Sequence, residues 1–260
     1  MFKSELNLLF LTFQYYSRIP TPRTVYSEEA LSRSFRYFPL VGAVVGGLGG
    51  LVYWGGSFIL PQEISVMLAL IVMTLATGAI HEDGFADTFD GFGGGYDRER
   101  ILAIMRDSSS GVFGVTALIL LFGLEFLLLG NLPSRTLPFA LIAAETSSRA
   151  VPLLLINTAG YARKDESKGQ HTRRKLSPLT LTAALLIALL SLLLIPWQAA
   201  LITLPVYALL FLAFRRYLLR KIGGYTGDTL GALIVLCRLA LLLVTLLAVT
   251  VPFGRLPHFG

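Results

Sequence analysis

The sequence predicts an all-α fold: a polytopic membrane protein with about seven transmembrane helices and an N-terminal interfacial helix. Hydrophobic residues form 54% of the 260-residue chain and charged residues only 15%, whereas roughly a quarter of the residues in a soluble domain are charged. Several uncharged apolar runs are also long enough to cross a bilayer, which takes about 20 residues in a helix. We therefore expect a single integral membrane domain over residues 1–260.

Seven apolar runs predict the spanning helices. They cover residues 38–60, 64–80, 111–130, 137–158, 178–195, 197–214 and 231–251. Little more than Pro196 divides the fifth run from the sixth, so the boundary of this hairpin is the least defined. An earlier run, at residues 6–16, is too short to span and predicts an interfacial or re-entrant helix.

The distribution of Lys and Arg predicts the orientation of these helices. Eighteen of the 22 Lys and Arg residues lie in four segments, at residues 1–37, 81–110, 159–177 and 215–230. Seven spans place all four segments on one side of the membrane, and cytoplasmic loops are the ones enriched in Lys and Arg. The net charge of +6 thus follows from topology, and nucleic acid is not expected as a partner.

Acidic residues are concentrated in one segment between the second and third apolar runs. Seven of the 16 Asp and Glu residues lie between positions 82 and 107. We expect the second helix to continue through this segment, so that Asp83, Asp87 and Asp90, spaced i, i+4 and i+7, share one face. Carboxylates on one face repel each other, and a bound cation would relieve that repulsion. The alternative is an ordinary solvated loop.

The composition of the chain favours a hard metal ion at these acids. The chain has one Cys and three His residues, so the ligands would be oxygens, which suit Mg²⁺ or Mn²⁺. Magnesium commonly takes one or two protein carboxylates and leaves positions for water and substrate phosphates. Three or four carboxylates would hold two such ions, a pattern typical of chemistry on a pyrophosphate.

Glycines and a basic residue follow the acidic stretch. Residues 91–95 contain four glycines, whose N–H groups suit close contact with phosphate oxygens. A simple helix end followed by a turn explains these glycines equally well. Asp97 is placed to cap a short helix. Arg106 near the end of that helix suits phosphate, as does the helix N-terminus that residues 108–111 open.

At these residues the chain resembles the cobalamin-5′-phosphate synthase family, also called adenosylcobinamide-GDP ribazoletransferases. The resemblance is carried by HEDGFADTFDGFGGG at residues 81–95, by DRERILAIMRDSSSGVFG at 97–114 and by GGYTGDTLGA at 223–232. Shorter matches are SRIPTP at 17–22, FPLVG at 38–42 and Ser148-Arg149. The matches extend over most of the chain, and the first of them is long and specific.

The resemblance implies an enzyme of late vitamin B12 assembly. Such an enzyme is a multi-pass protein of the bacterial inner membrane, with its active site on the cytoplasmic face. It joins adenosylcobinamide-GDP to α-ribazole or α-ribazole 5′-phosphate, requires Mg²⁺ and releases GMP. The product is adenosylcobalamin or its 5′-phosphate. The expected partners are therefore the two substrates and the lipid bilayer; the oligomeric state is left open, with a homo-oligomer allowed.

The resemblance also implies roles for individual residues. Asp83, Asp87 and Asp90 are the expected metal ligands, and Glu82 and Asp107 are further ligands or supporting groups. By analogy with the CDP-alcohol phosphotransferases, which resemble this family distantly, Asp90 is the expected general base, with Asp87 as the second catalytic residue. The residues expected to bind substrate are Gly94, Arg106, Ser108, Arg149, Lys175, Thr226 and Asp228.

Some of these assignments have alternatives that the residues leave open. Arg149 lies in an apolar span, where an ionisable residue is a functional candidate by default, but an ion pair with Glu145 one turn earlier would also hold it there. Asp228 would bind metal or guanine, or cap the seventh helix. His81 projects away from Asp83 and is expected to pack rather than to bind metal.

The chain departs from the family after the TGDTLGA motif. One or more glutamates usually follow in the family, whereas this chain reads LIVLCRLA, with Cys237 and Arg238 in this stretch. Arg238 is expected to neutralise an intramembrane acid such as Glu145, or to meet a phosphate.

Two other functions fit part of the pattern. A divalent-cation transporter would use the same acids, although transporter sites usually lie near the middle of the membrane. A phospholipid-forming CDP-alcohol phosphotransferase would carry Ala-Arg soon after its first Asp-Gly, whereas here Asp83-Gly84-Phe85-Ala86 is followed by Asp87. The absent arginine argues against a CDP-lipid substrate.

Overall fold

The apolar runs form helices in the computed structural model, which describes residues 2–107, 109–163 and 175–251. Helices make up 78% of the structure. Over the described residues the only β-type pairing is an isolated bridge between Tyr161 and Tyr225, and the all-α prediction is confirmed. The helices are α1 (Phe2–Tyr16), α2 (Glu28–Ser34), α3 (Phe38–Gly56), α4 (Gln62–Thr77), α5 (Ile80–Gly94), α6 (Arg98–Ile104), α7 (Val112–Gly130), α8 (Leu137–Ser148), α9 (Val151–Thr158), α10 (Pro178–Ser191), α11 (Trp197–Lys221) and α12 (Gly227–Thr250).

Five helical segments of the described chain are long and apolar enough to cross a membrane. They are Glu28–Gly56, Val112–Gly130, Leu137–Thr158, Trp197–Lys221 and Gly227–Thr250. The bent pair α4 and α5 adds a sixth candidate if the two helices count as one span, whereas the apolar helix Pro178–Leu194 is shorter. The chain is therefore a multi-pass membrane protein with five or six candidate spans, and all seven predicted runs lie on helices.

The predicted continuation of the second span into the acidic segment is wrong, because the helix breaks at Gly78 and Ala79. Both residues are left-handed, with φ of 67° and 58°. The N–H of Ala79 donates to the carbonyl of Thr74 at 3.0 Å and that of Gly78 to Leu75 at 3.2 Å, a pattern typical of a helix C-terminal cap. The break turns α5 by 87° from α4.

The N-terminal segment packs against this break. The backbone N–H of Arg18, just after α1, donates to the carbonyl of Ala76 in the last turn of α4 at 2.7 Å. The buried face of α1 includes Leu8, Leu11 and Phe13. These contacts bring the aromatic end of α1 next to the beginning of α5.

Small residues allow α3 and α8 to approach each other closely. Gly42, Gly46 and Gly50 recur every fourth residue on the face of α3 that meets α8. A Cβ atom on Gly46 would lie 2.6 Å from the carbonyl oxygen of Leu141, and one on Gly42 would overlap the carbonyl of Glu145. Such small-residue stripes are common where membrane helices pack backbone to backbone.

We expect Gly42→Ala to destabilise the protein by about 1–3 kcal/mol or more, because the new methyl group meets backbone that cannot move aside. The thermal unfolding midpoint of the purified protein in lipid nanodiscs measures this effect. Gly47→Ala on the same helix is the matched control, since no heavy atom lies within 4 Å of its added Cβ. Equal midpoints for the two variants would contradict the predicted packing.

Candidate active site

The acidic helix α5 is held against the first turns of α12 by a close helix crossing. A Cβ atom on Gly84 would lie 2.8 Å from the carbonyl oxygen of Asp228, and one on Gly231 would lie 3.2 Å from that of His81. Only glycine permits backbones to approach so closely. The segments 81–95 and 223–232, which the sequence singles out separately, are therefore in direct contact.

This crossing brings three carboxylates together. Asp83 is exposed and Asp87 is partly buried on α5, while Asp228 lies at the beginning of α12. Burial, together with the charges of Asp83, Asp228 and Asp90, raises the pKa of Asp87 to about 7, although Arg163 opposes the rise. The three acids form a site of mutual repulsion.

Arg163 is a member of this site that the sequence analysis missed. Its guanidinium Nη2 donates to the Asp228 carboxylate at 2.8 Å and to the carbonyl of Met105 at 3.3 Å. The backbone before it is fixed because Ala162 donates its N–H to the carbonyl of Tyr225 at 2.8 Å. The basic loop at residues 161–175 did signal it: about half of the loop's charges are explained by topology, and the rest are candidates to bind the nucleotide.

These carboxylates suit a hard divalent cation whose remaining coordination positions are filled by the substrate and water. Among the described residues no group of three or more His, Cys, Asp or Glu side chains is arranged as a finished metal site. Magnesium commonly takes only one or two protein carboxylates, however, and fills its octahedron with water and substrate phosphates. Asp83, Asp87 and Asp228 would supply the oxygens for such an ion, and the ion would relieve their mutual repulsion.

Asp90 faces another part of the molecule. Its Oδ2 accepts the N–H of Gly111 at 2.7 Å and its Oδ1 accepts that of Gly114 at 2.8 Å. Both donors belong to the N-terminus of α7, where helical N–H groups lack partners within the helix. The carboxylate, only 6% exposed, caps α7 from a distance of some 20 residues in sequence. These contacts do not support the metal-binding and general-base roles predicted for Asp90.

We expect Asp90→Ala to destabilise the protein by about 1–3 kcal/mol, because two buried N–H groups lose their acceptor. Thermal unfolding and turnover should be measured on the same sample. Asp97→Asn is the control and should leave the unfolding midpoint unchanged, since Asp97 caps α6 through the N–H of Arg100 and asparagine caps about as well. An unchanged unfolding midpoint together with lost turnover would instead return Asp90 to the catalytic group.

A buried ionic network contains three of the residues considered for the site, namely Glu82, Arg149 and Arg238. The Arg238 guanidinium donates to Glu82 at 2.9 Å, to Glu145 at 3.1 Å and, through Nε, to Glu125. Arg149 is fully buried and pairs with Glu145. The expected neutralisation of Glu145 by Arg238 is confirmed. Glu82 and Arg149 are thereby engaged in structure, so the ligand role predicted for Glu82 and the phosphate role predicted for Arg149 lack support in these contacts.

The loop after α6 holds two further candidates. Asp107 is exposed, and its carboxylate accepts both the N–H and the hydroxyl of Ser109, at 2.9 and 2.7 Å. These hydrogen bonds hold the pKa of Asp107 below its usual value. Arg106 is exposed beside it, and Ser108 lies outside the described residues. The metal role of Asp107 and the phosphate roles of Arg106 and Ser108 stay predictions.

The remaining candidates lie in three different places. Gly94 ends α5, where a Cβ atom would lie 3.3 Å from Ile104 of α6. Lys175 lines a groove of about 630 Å³ between α2 and the beginning of α10. Thr226 is the N-cap of α12, accepting the N–H of Thr229 at 3.3 Å, so the cap considered for Asp228 is provided by Thr226. Substrate binding by Gly94, Lys175 and Thr226 stays a prediction.

A cavity of about 310 Å³ adjoins the acidic cluster. Its walls come from the end of α1, the beginning of α3, α5, α9 and α12. The aromatic lining residues are Tyr15, Tyr16, Phe35 and Phe38, and the acidic ones are Asp83 and Asp228. His81 also lines it; its ring packs on Phe38 with centroids 6.0 Å apart, which agrees with the packing role predicted for it.

Comparison with known proteins gives one consistent result. The sequence model of cobalamin-5-phosphate synthase matches residues 8–246. An adenosylcobinamide-GDP ribazoletransferase of Shewanella amazonensis is 41% identical over 254 residues, 95% of this chain and 97% of the relative. One of Vibrio cholerae is 39% identical over 246 residues, 93% and 94% of the two chains. No solved structure matches. The chain belongs to the cobalamin-5-phosphate synthase family.

Proposed function

We propose that this protein is an adenosylcobinamide-GDP ribazoletransferase. It joins adenosylcobinamide-GDP to α-ribazole or α-ribazole 5′-phosphate and releases GMP. The observation that carries the proposal is the contact between the two motif segments, which places Asp83 and Asp87 of α5 beside Asp228 of α12. Relatives that bear this name align with nearly the whole chain.

The cofactor we propose is Mg²⁺, held by Asp83 and Asp87 with Asp228 as the third carboxylate. When bound, the ion neutralises the oxygens of the substrate diphosphate and orients them. The protein's own part is to keep the carboxylates in place through the tight crossing at Gly84 and Gly231. Asp90 contributes indirectly, since it fixes the N-terminus of α7 against the same helix.

The reaction is a displacement at phosphorus. A ribose hydroxyl oxygen of α-ribazole forms a bond to the phosphorus that carries the cobinamide aminopropanol. The bond from that phosphorus to the bridging oxygen breaks, and GMP leaves with the bridging oxygen. Asp87 is placed to accept the hydroxyl proton, because Asp90 is occupied by backbone donors. Arg163 and Arg106 are the cations we assign to the diphosphate, as positioning and charge neutralisation dominate phosphoryl transfer.

We further propose that the site opens to the cytoplasm from a bacterial inner membrane. Arg163 contacts the acidic cluster at Asp228, and Arg98 contacts the neighbouring loop at Ala162. Arg215 of α11 contacts Thr158 at the end of α9, and Lys221 lies in the last turn of α11. Clusters of basic residues mark the cytoplasmic ends of membrane helices. No contact within the described chain bears on oligomeric state.

The test is an assay with the purified protein in lipid nanodiscs, supplied with adenosylcobinamide-GDP, α-ribazole and Mg²⁺. We expect stoichiometric GMP and a corrinoid product that carries the ribazole, and loss of both when EDTA removes the metal. A parallel reaction contains CDP-diacylglycerol and an alcohol. Release of CMP from that mixture, with no GMP from the first, would replace the proposal by a phospholipid-forming phosphotransferase.

A further inference from the structure

Two chemically different groups of residues line the cavity beside the acidic cluster. One group is apolar and includes the aromatic residues near α1 and α3 and the side chains of Leu153 and Ile156 on α9. The other group is acidic and consists of Asp83 and Asp228. A ligand that fills it must therefore have an apolar body and a polar, hydroxyl-bearing head.

The volume of the cavity decides which of the two substrates can fit into it. Its volume of about 310 Å³ is at the small end of the range for ligand sites, roughly 300–1,000 Å³. A corrin ring with its nucleotide is far too large for it, whereas a nucleoside with a bicyclic aromatic base is of the right order. We propose that this cavity is the α-ribazole site, an assignment that rests on the proposed function.

Its aromatic wall suits a flat base. The rings of Tyr16 and Phe38 lie with centroids 4.5 Å apart, and Phe35 meets Phe38 edge to face at 6.0 Å. Aromatic rings gain stabilisation from such offset and edge-on neighbours at 4.5–7 Å. A benzimidazole-type base inserted here packs against this wall on one side and against the aliphatic side chains of α9 on the other.

One buried polar atom at the cavity has no partner in the described part of the chain. His81 is only 3% exposed, and its Nε2 makes no hydrogen bond there. A buried polar group without a partner is costly, and almost all such groups in proteins are satisfied. The His81 side chain lines the cavity, and we assign its unpaired nitrogen to a polar group of the bound nucleoside. The two meet only when the side chain shifts, because this atom has less than 1 Å² of accessible surface in the free protein.

The two acidic lining residues then set the direction in which the nucleoside binds. With the base at the aromatic wall, the ribose lies at Asp83 and Asp228, next to the carboxylates that we assign to the metal. The attacking hydroxyl thus reaches the acidic cluster from the buried side. The GDP-bearing substrate, which the cavity cannot hold, approaches from the exposed side of Asp83.

A variant that narrows the cavity at an apolar lining residue tests its assignment to α-ribazole. We expect Ile156→Phe to raise the KM for α-ribazole by about tenfold, because the larger ring occupies the position of the base. The KM for adenosylcobinamide-GDP and kcat should stay within about twofold, and Ile156→Val should behave like wild type. Leu154→Phe is the matched control on the same helix, since Leu154 does not line the cavity.

Measurements on the wild-type protein make the test independent of how the variants fold. We expect the free benzimidazole base to inhibit competitively against α-ribazole and not against adenosylcobinamide-GDP. Equilibrium dialysis should show that α-ribazole binds without the second substrate. Absence of base inhibition, or equal changes of both KM values in Ile156→Phe, would overturn the assignment and leave the cavity to a lipid acyl chain. Absence of any turnover by wild type would instead contradict the proposed function.

Discussion

We expect Asp83→Asn and Asp87→Asn each to lower turnover by at least about 100-fold, while the protein stays folded. Removing a residue that only supports a metal ligand typically lowers metal affinity or activity by about 10–100-fold. Removing a direct ligand should lower activity by more. Stability should not fall, because each substitution removes one of several carboxylates that repel each other at this site. A loss of activity without a loss of stability is what separates a functional carboxylate from a structural one.

The measurement is GMP release by wild type and both variants in nanodiscs, with the unfolding midpoint of each. Asp97→Asn serves as the control within the same segment, because asparagine caps a helix about as well as aspartate. It should keep full turnover. Near-wild-type rates for both Asp83→Asn and Asp87→Asn would remove these residues from the metal site.

The second large effect is on folding and comes from Arg238→Gln. Arg238 is the common partner of Glu82, Glu125 and Glu145, all of them buried. Removing one member of a buried charge pair typically costs 3–5 kcal/mol, because its partner is left uncompensated. A cost of about 3–5 kcal/mol is a large part of the stability of a typical domain, so we expect little folded protein in the membrane fraction.

Folded yield and thermal unfolding in detergent measure this effect. Arg216→Gln is the control, since Arg216 is exposed on α11. Adding Glu82→Gln to Arg238→Gln should recover part of the lost stability, because one unpaired carboxylate disappears with it. A stable Arg238→Gln protein with normal yield would show that the network is dispensable for folding.

The sequence predicted those parts of the fold that depend on local pattern. All seven apolar runs lie on helices, and the i, i+4, i+7 spacing of the acids correctly predicted the helical character of α5. Only five or six of the helical segments are candidate spans, however, instead of the seven predicted. The break at Gly78 and Ala79 escaped prediction because an alanine gives no sign of a left-handed backbone. The contact between Arg18 and Ala76 beside this break is tertiary, so no local pattern reveals it.

The metal-binding role of the candidate site stays a prediction, whereas the structure shows which of the predicted residues lie together. Asp90 shares the helical face of Asp83 and Asp87, but its carboxylate accepts hydrogen bonds from the N-terminus of α7. No local sequence pattern identifies that helix end as its partner. Glu125 did carry a signal, as a lone acid within an apolar run. Its partner Arg238 lies 113 residues away, so only the packed fold identifies the pair.

Electron paramagnetic resonance of Mn²⁺ tests most directly the claim that α5 holds a metal against the substrate diphosphate. With wild-type protein and adenosylcobinamide-GDP in nanodiscs, we predict a protein-bound Mn²⁺ signal with coupling to ³¹P. The Asp83→Asn, Asp87→Asn double variant should show only the signal of Mn²⁺ and substrate free in solution. A protein-bound, phosphorus-coupled signal of undiminished intensity in the double variant would contradict the account.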